Sequence, residues 1–195
     1  MTATPEVRTG GRRREQILDV AAKLFARHGF HGVSIADLGA AVGVSGPALY
    51  RHFPGKEALL AELLIGISEH LLAGGQDIAA RSADPYETLD ALIAFQADFA
   101  QREPELIVVQ DRDLANLPPT SRRRVRQLQR TYVEIWVDTL RRMHPDLPAD
   151  RARIAAHGAF GLLNSTPHIS PRDGARDEAS TEVLRRMALA ALTRL

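Results

Sequence analysis

Apolar residues recur every three or four positions along nearly the whole chain and nowhere alternate in the two-residue rhythm of a strand. Ile17, Val20, Ala21, Leu24 and Phe25 form the buried stripe of a first helix from about Arg13 to His28, ended by Gly29 as C-cap, with Phe30 and Val33 tucked beneath. Ile35, Leu38 and Val42 give a second, short helix, and the Ser34 hydroxyl stands ready to cap it. Gly43 supplies the turn, Val44 plugs the joint, and Ser45 caps a third helix whose first turn holds Gly46 and Pro47. Leu49 and Phe53 point inward, Pro54 and Gly55 stop the helix, and Gly39 is small enough for a close helix crossing.

Beyond residue 55 the same rhythm predicts a long helix to about Ser82, apolar at Leu59, Leu60, Leu63, Leu64, Ile67, Leu71 and Leu72. Gly74-Gly75 weakens it by about 1 kcal/mol per glycine, and a kink or break is expected there. Further helices follow at about 84–102, 105–116, 120–144, 149–165 and 177–195, separated by proline-rich joints. The expectation is an all-α chain of about nine helices. It divides into a disordered arm at 1–11, a helix-turn-helix head at 12–56 and a helical body at 57–195.

The third helix is placed to enter a major groove and carries matching chemistry. Tyr50 and His52 are candidate phosphate donors, and Lys56 adds a cation beside them. Ser34, Ser45 and Gly46 offer hydroxyl or N–H donors. Arg51 has the planar fork that binds guanine O6 and N7 together, or else clamps a phosphate. Pro47 and Ala48 suit a thymine methyl, and His52 has packing as a competing role.

The run VSGPALYRHFPGKEALL resembles the recognition helix and linker of TetR/AcrR-type transcriptional regulators, whose signature is a Leu-Tyr-x-His-Phe block with a lysine just beyond. Here those residues are Leu49, Tyr50, His52, Phe53 and Lys56, and the upstream stretch from Ile17 to Ser45 is similar to the same family's first two helices. The resemblance covers about residues 12–60. It implies a repressor that binds a palindromic operator as a homodimer, paired through a four-helix bundle of the last two helices, 149–165 and 177–195. It also implies release by a small molecule that enters the body and shifts the linking helix. The small residues Ala155, Ala156, Gly158, Ala159 and Gly161 and the stripe Val183, Leu184, Met187, Ala188, Ala191, Leu192 and Leu195 suit such an interface, or the subunit's own core.

Charge sharpens this picture slightly. Net charge is +1, but residues 1–56 carry eight basic and four acidic side chains, leaving the body mildly acidic. Arg12–Arg14 read either as a solvated helix start or as an arm reaching phosphates. For an effector, Phe95, Phe99, Leu128, Tyr132, Trp136 and Phe160 are candidate apolar lining, with Gln110, Asn164 and His168 as polar handles. Arg122, Arg123, Arg124, Arg126 and Arg130 form either a solvated basic face or, with Arg124 as candidate contact, a site for an acyl-CoA-like ligand.

Enzyme readings find no support. There are no cysteines, and the seven histidines have no metal-ligand spacing. The glycines at 39, 43 and 46 follow no strand, and no serine stands in a nucleophile elbow. No metal and no cofactor are expected. The start lacks a signal-like apolar stretch and no run approaches the ~18 apolar residues of a span, so a cytoplasmic protein is expected. The alternative function is a helical small-molecule-binding or interaction protein without specific DNA binding.

Overall fold

The computed structural model describes residues 5–166, 169 and 178–195, and among these the regular elements are all helical. In the head, α1 (Pro5–His28), α2 (Ile35–Val42) and α3 (Gly46–Tyr50) precede α4 (Lys56–Arg81), which runs on into the body. The body adds α5 (Pro85–Arg102), α6 (Pro104–Asp113) with a 3-10 turn at Leu114–Asn116, α7 (Pro119–Met143), α8 (Ala149–Leu163) and α9 (Glu178–Leu192). Helix α1 begins about eight residues earlier than expected and takes in most of the supposed arm. Proline at a first helical position loses no hydrogen bond, so Pro5 opens the helix without penalty.

The local signals act as their chemistry requires. Ser34 accepts from the Asp37 N–H at 3.1 Å, and the Asp37 carboxylate takes the Ser34 N–H at 2.8 Å and the Ser34 hydroxyl at 2.6 Å, closing a capping box. Gly43 ends α2 with φ +74°, the left-handed conformation that favours glycine. Ser45 caps α3, and Asp84 caps α5 with Pro85 at its first position. At Gly39 a Cβ would lie 2.8 Å from the Val44 carbonyl, so the tight joint between α2 and α3 requires glycine.

Two apolar cores result. The body core gathers Leu89, Leu92, Ile93, Trp136, Val137 and Leu140 with Leu184, Ala188 and Leu192 of α9. The head core around Ile17, Phe25, Leu38, Leu49, Phe53, Leu60 and Leu64 is completed by Val109, Leu117 and Val125, three residues of the body. A three-helix head of this size has little apolar area to bury by itself, and it borrows the remainder from α6, the 3-10 turn and α7.

Helix α4 is a correction to the expected kink, because it continues unbroken through Gly74-Gly75. A Cβ at Gly74 would meet the Phe95 ring at 2.3 Å, and one at Gly75 would meet Tyr132 at 2.6 Å. The pair allows α5 and α7 to press aromatic rings onto the α4 backbone, and that packing holds the helix straight. By length and composition α4 also passes for a membrane span, which the sequence reading did not find. Leu59, Leu60, Leu63 and Leu64 are instead buried in the protein core, as in the central helix of a folded bundle.

Candidate DNA interface and effector cavity

Helix α3 presents a compact polar face. Ser45, Pro47, Tyr50 and Arg51 are exposed, Tyr50 to 55%, while Gly46, Ala48 and His52 are half-buried. Arg51 makes no hydrogen bond or ion pair with the described residues, whereas the basic residues behind it are tied inward. Arg13 donates to the Val42 carbonyl at 3.0 Å. Arg14 pairs with Glu62, donates to the His52 carbonyl at 2.5 Å and lies 4.2 Å over the Phe53 ring. Those two arginines therefore fasten α1 to the helix-turn-helix. Of the alternatives for Arg12–Arg14, only Arg12 keeps an exposed, free side chain among the described residues.

Lys56 has a task that the sequence did not disclose. Its Nζ donates to the carbonyls of Phe30 at 3.0 Å and Val33 at 3.1 Å and sits 4.5 Å over the Phe30 ring. An ammonium has three donors, so one remains for a phosphate. Ser34 likewise serves its capping box, with its hydroxyl proton given to Asp37.

Beneath the head lies a polar clamp to the body. Arg112 of α6 donates to the Ala26 carbonyl at 3.1 Å and to that of Phe25, both in the last turn of α1. It also pairs with the buried Asp113 at 2.9 Å. Asp113 in turn accepts the Phe30 N–H at 3.4 Å, and His31 meets Asn116 at 2.9 Å. The Arg112 guanidinium thus holds the carbonyl end of α1, where cations are favoured.

A cavity of about 200 Å³ lies in the body between five helices. Helix α4 contributes Ser68 and Leu71, α5 Gln96 and α6 Gln110; α7 contributes Gln129, Tyr132 and Val133. His157, Phe160 and Asn164 close it from α8 and its C-cap. Inside, Tyr132 donates to Gln96 Oε1 at 3.1 Å, and Gln96 Nε2 donates to Asn164 Oδ1 at 2.9 Å. Burial pushes the Tyr132 phenol far above its usual range, the nearby Trp136 N–H offsetting only part of this, so the group stays neutral.

Of the sequence candidates, Gln110, Tyr132, Phe160 and Asn164 line this cavity. Phe95, Phe99, Leu128, Trp136 and Arg124 do not. Phe95 seats on Gly74, and Phe99, Leu128 and Trp136 are core. Arg124 reaches Glu69 at 2.9 Å, and Arg122 reaches the Ala115 carbonyl at 3.4 Å, so this part of the arginine cluster binds its own subunit. His168 lies outside the described residues. Ser68, Leu71, Gln96, Gln129, Val133 and His157 were missed; three glutamines spaced along three helices carry no local signal of convergence.

The last two helices divide their stripe. Leu184, Ala188 and Leu192 face the core, while Val183, Met187 and Leu195 stay exposed, as does Ile154 of α8, which is 71% exposed. At Gly158 and Gly161 an added Cβ would meet nothing within 4 Å, so the subunit's own packing does not require glycine there.

A helix-turn-helix head fastened to a cavity-bearing helical body defines a DNA-binding regulator with a ligand-binding domain. The comparisons agree. The sequence model described as bacterial regulatory proteins, tetR family, matches residues 17–63, and that of the tetracyclin repressor-like C-terminal domain matches residues 82–192. The chain is 33% identical over 149 residues to the HTH-type transcriptional repressor KstR2 of Mycobacterium tuberculosis (strain ATCC 25618 / H37Rv), covering 71% of this chain and 72% of that protein. A TetR-family transcriptional regulator from Bordetella parapertussis 12822 superposes with TM-score 0.83 at 26% identity, covering 93% of this chain and 94% of that one. The fold is also that of AibR in complex with isovaleryl coenzyme A and operator DNA, with TM-score 0.76, 20% identity and coverage of 90% and 97%. The chain belongs to the TetR family of bacterial regulatory proteins and is a transcriptional regulator, not an enzyme.

Proposed function

We propose that this regulator is a repressor that binds a palindromic operator as a homodimer and leaves it when a small, largely hydrophobic effector fills the body cavity. The observation that carries the DNA reading is the α3 face, where Tyr50 and Arg51 stand exposed while Arg13 and Arg14 behind them are tied to the head. Arg51 is the base-reading candidate. Tyr50, His52 and the remaining Lys56 donor are phosphate candidates, with the Ser45, Gly46, Pro47 and Ala48 edge beside them.

The exposed Ile154, Val183 and Met187, with Gly158 and Gly161 of α8 at positions where the subunit's own packing needs no glycine, support pairing through α8 and α9. Two heads joined there must place their α3 helices ~34 Å apart to meet successive major grooves. Helix α6 supports a route from effector to head, because it carries Gln110 in the cavity and Arg112 and Asp113 in the clamp on α1. An effector that favours one position of α6 biases the head, and the operator affinity falls by the same factor by which DNA weakens effector binding. The basic cluster on α7 is not needed for this. The reading places the protein with DNA in the cytoplasm.

The test is selection of bound sequences from a random duplex pool, followed by titration of the enriched site. A palindrome with half-sites one helical turn apart is expected, and Arg51→Ala should relax preference at one base pair by about 1–3 kcal/mol. Binding no tighter than to random duplex, by a folded protein, would favour a helical binding module without an operator.

A further inference from the structure

The cavity has a polar end whose direction is fixed by its neighbours. Tyr132 donates its phenol proton to Gln96 Oε1 at 3.1 Å. That bond makes the Gln96 oxygen the acceptor and leaves its NH2 group to donate to Asn164 Oδ1 at 2.9 Å. Gln96 is only 2% exposed, and turning its amide over would set its NH2 against the Tyr132 O–H and its oxygen against Asn164 Oδ1. Asn164, the half-buried last member, has its oxygen occupied, and its NH2 has no partner among the described residues. The relay Tyr132–Gln96–Asn164 thus ends, at the cavity wall, in a hydrogen-bond donor.

The rest of the lining narrows what can meet that donor. Leu71, Val133 and Phe160 supply apolar wall, and no Asp, Glu, Lys or Arg lines the cavity. Ser68, Gln110 and Gln129 add neutral polar groups and His157 a ring that is charged only when protonated, so an anionic ligand would give up hydration here without meeting a fixed countercharge. The volume of about 200 Å³ is somewhat above the ~150 Å³ that accommodates benzene, enough for a fused pair of small rings or a branched chain of roughly ten heavy atoms.

We infer that the effector is an uncharged, compact, mainly apolar molecule bearing a carbonyl oxygen, and that the Asn164 carboxamide receives this oxygen. The inference rests on the reading of the cavity as the effector site. It favours the hydrophobic form of the effector over a ligand whose negative charge enters the cavity. Gln96 and Tyr132 act as positioning residues, because they set which atom of Asn164 faces the ligand.

Three probes of one skeleton separate the possibilities: 1-indanone, indane and indane-1-carboxylate. Each is titrated calorimetrically into the full chain, with the emission of Trp136, the chain's one tryptophan, reporting occupancy of the neighbouring cavity. In the wild type, 1-indanone is expected to bind at least tenfold more tightly than either other probe. In Asn164→Leu this preference should fall below threefold. Tyr132→Phe, which frees the Gln96 amide, should reduce the preference to an intermediate value. Carboxylate binding as tight as ketone binding, a ketone preference that survives Asn164→Leu, or no heat from any probe with the helix content intact overturns the inference. Operator release is measured separately. If 1-indanone binds as expected at saturation and the operator complex persists, the effector reading fails while the ligand class stands.

Discussion

The clamp between α6 and α1 makes the sharpest prediction about how this protein holds together. Asp113 is 3% exposed, accepts the Phe30 N–H at 3.4 Å and receives the Arg112 guanidinium at 2.9 Å. Asp113→Ala leaves the Phe30 N–H without an acceptor, a loss of about 1–3 kcal/mol for a buried donor. Arg112 loses one partner but keeps the Phe25 and Ala26 carbonyls, and its side chain is 43% exposed, so water absorbs most of that loss. The expected destabilisation is therefore about 2 kcal/mol, short of the ~3–5 kcal/mol for breaking a fully buried pair. In a chain of this size that lowers Tm by roughly 4–8 °C. Asp113→Asn keeps an oxygen for Phe30 and should lose about 1 kcal/mol. Thermal unfolding followed by circular dichroism measures both. Operator titrations with and without effector, run well below Tm, should show Asp113→Ala binding DNA but releasing it less completely. Two variants melting within 1 °C of wild type, or equal responses to effector, would refute the account of the clamp.

Three further outcomes follow from separate parts of the molecule. Gly75→Ala drives a Cβ to 2.6 Å from the Tyr132 ring that walls the cavity; we expect a loss of about 1–3 kcal/mol in chemical denaturation and weakened effector binding, and neither change would mean that α7 yields freely. The Asp37 carboxyl is held below its ordinary 3.8 by the Ser34 hydroxyl and then by the Ser34 N–H. A group depressed in this way stabilises the fold fully above 3.8, and that contribution disappears as pH falls through its lowered value. The stability gap between wild type and Asp37→Ala should accordingly be present near pH 6 and close towards about pH 2, and a gap that widens in acid would contradict the capping box. Finally, Ile154→Asp combined with Met187→Glu places charge on the exposed face of α8 and α9. Sedimentation should then give half the wild-type mass at unchanged helix content; an unchanged mass would put the subunit contact elsewhere.

What the sequence determined by itself lies within a few residues of its cause. Ser34, Gly43 and Ser45 act on backbone groups no more than four positions away, so the two helix starts and the turn between them could be read directly, whereas α3 ends at Tyr50, ahead of the Pro54-Gly55 stop. The Leu49–Phe53 spacing likewise decided which side of α3 is core and left Tyr50 and Arg51 outside. Other outcomes depended on partners far along the chain. Gly74-Gly75 reads as a helix weakness until Phe95 and Tyr132 press onto it, and then it reads as a close crossing. The α9 stripe is one continuous pattern in sequence, yet Leu184 is buried and Val183 exposed because α5 and α8 cover only one side. Lys56 joins carbonyls 23 and 26 positions upstream, and Gln96 meets Asn164 across 68. Helical periodicity states that a face will be covered, but the covering residues are selected only when the helices pack, and the cavity is the space which that packing leaves.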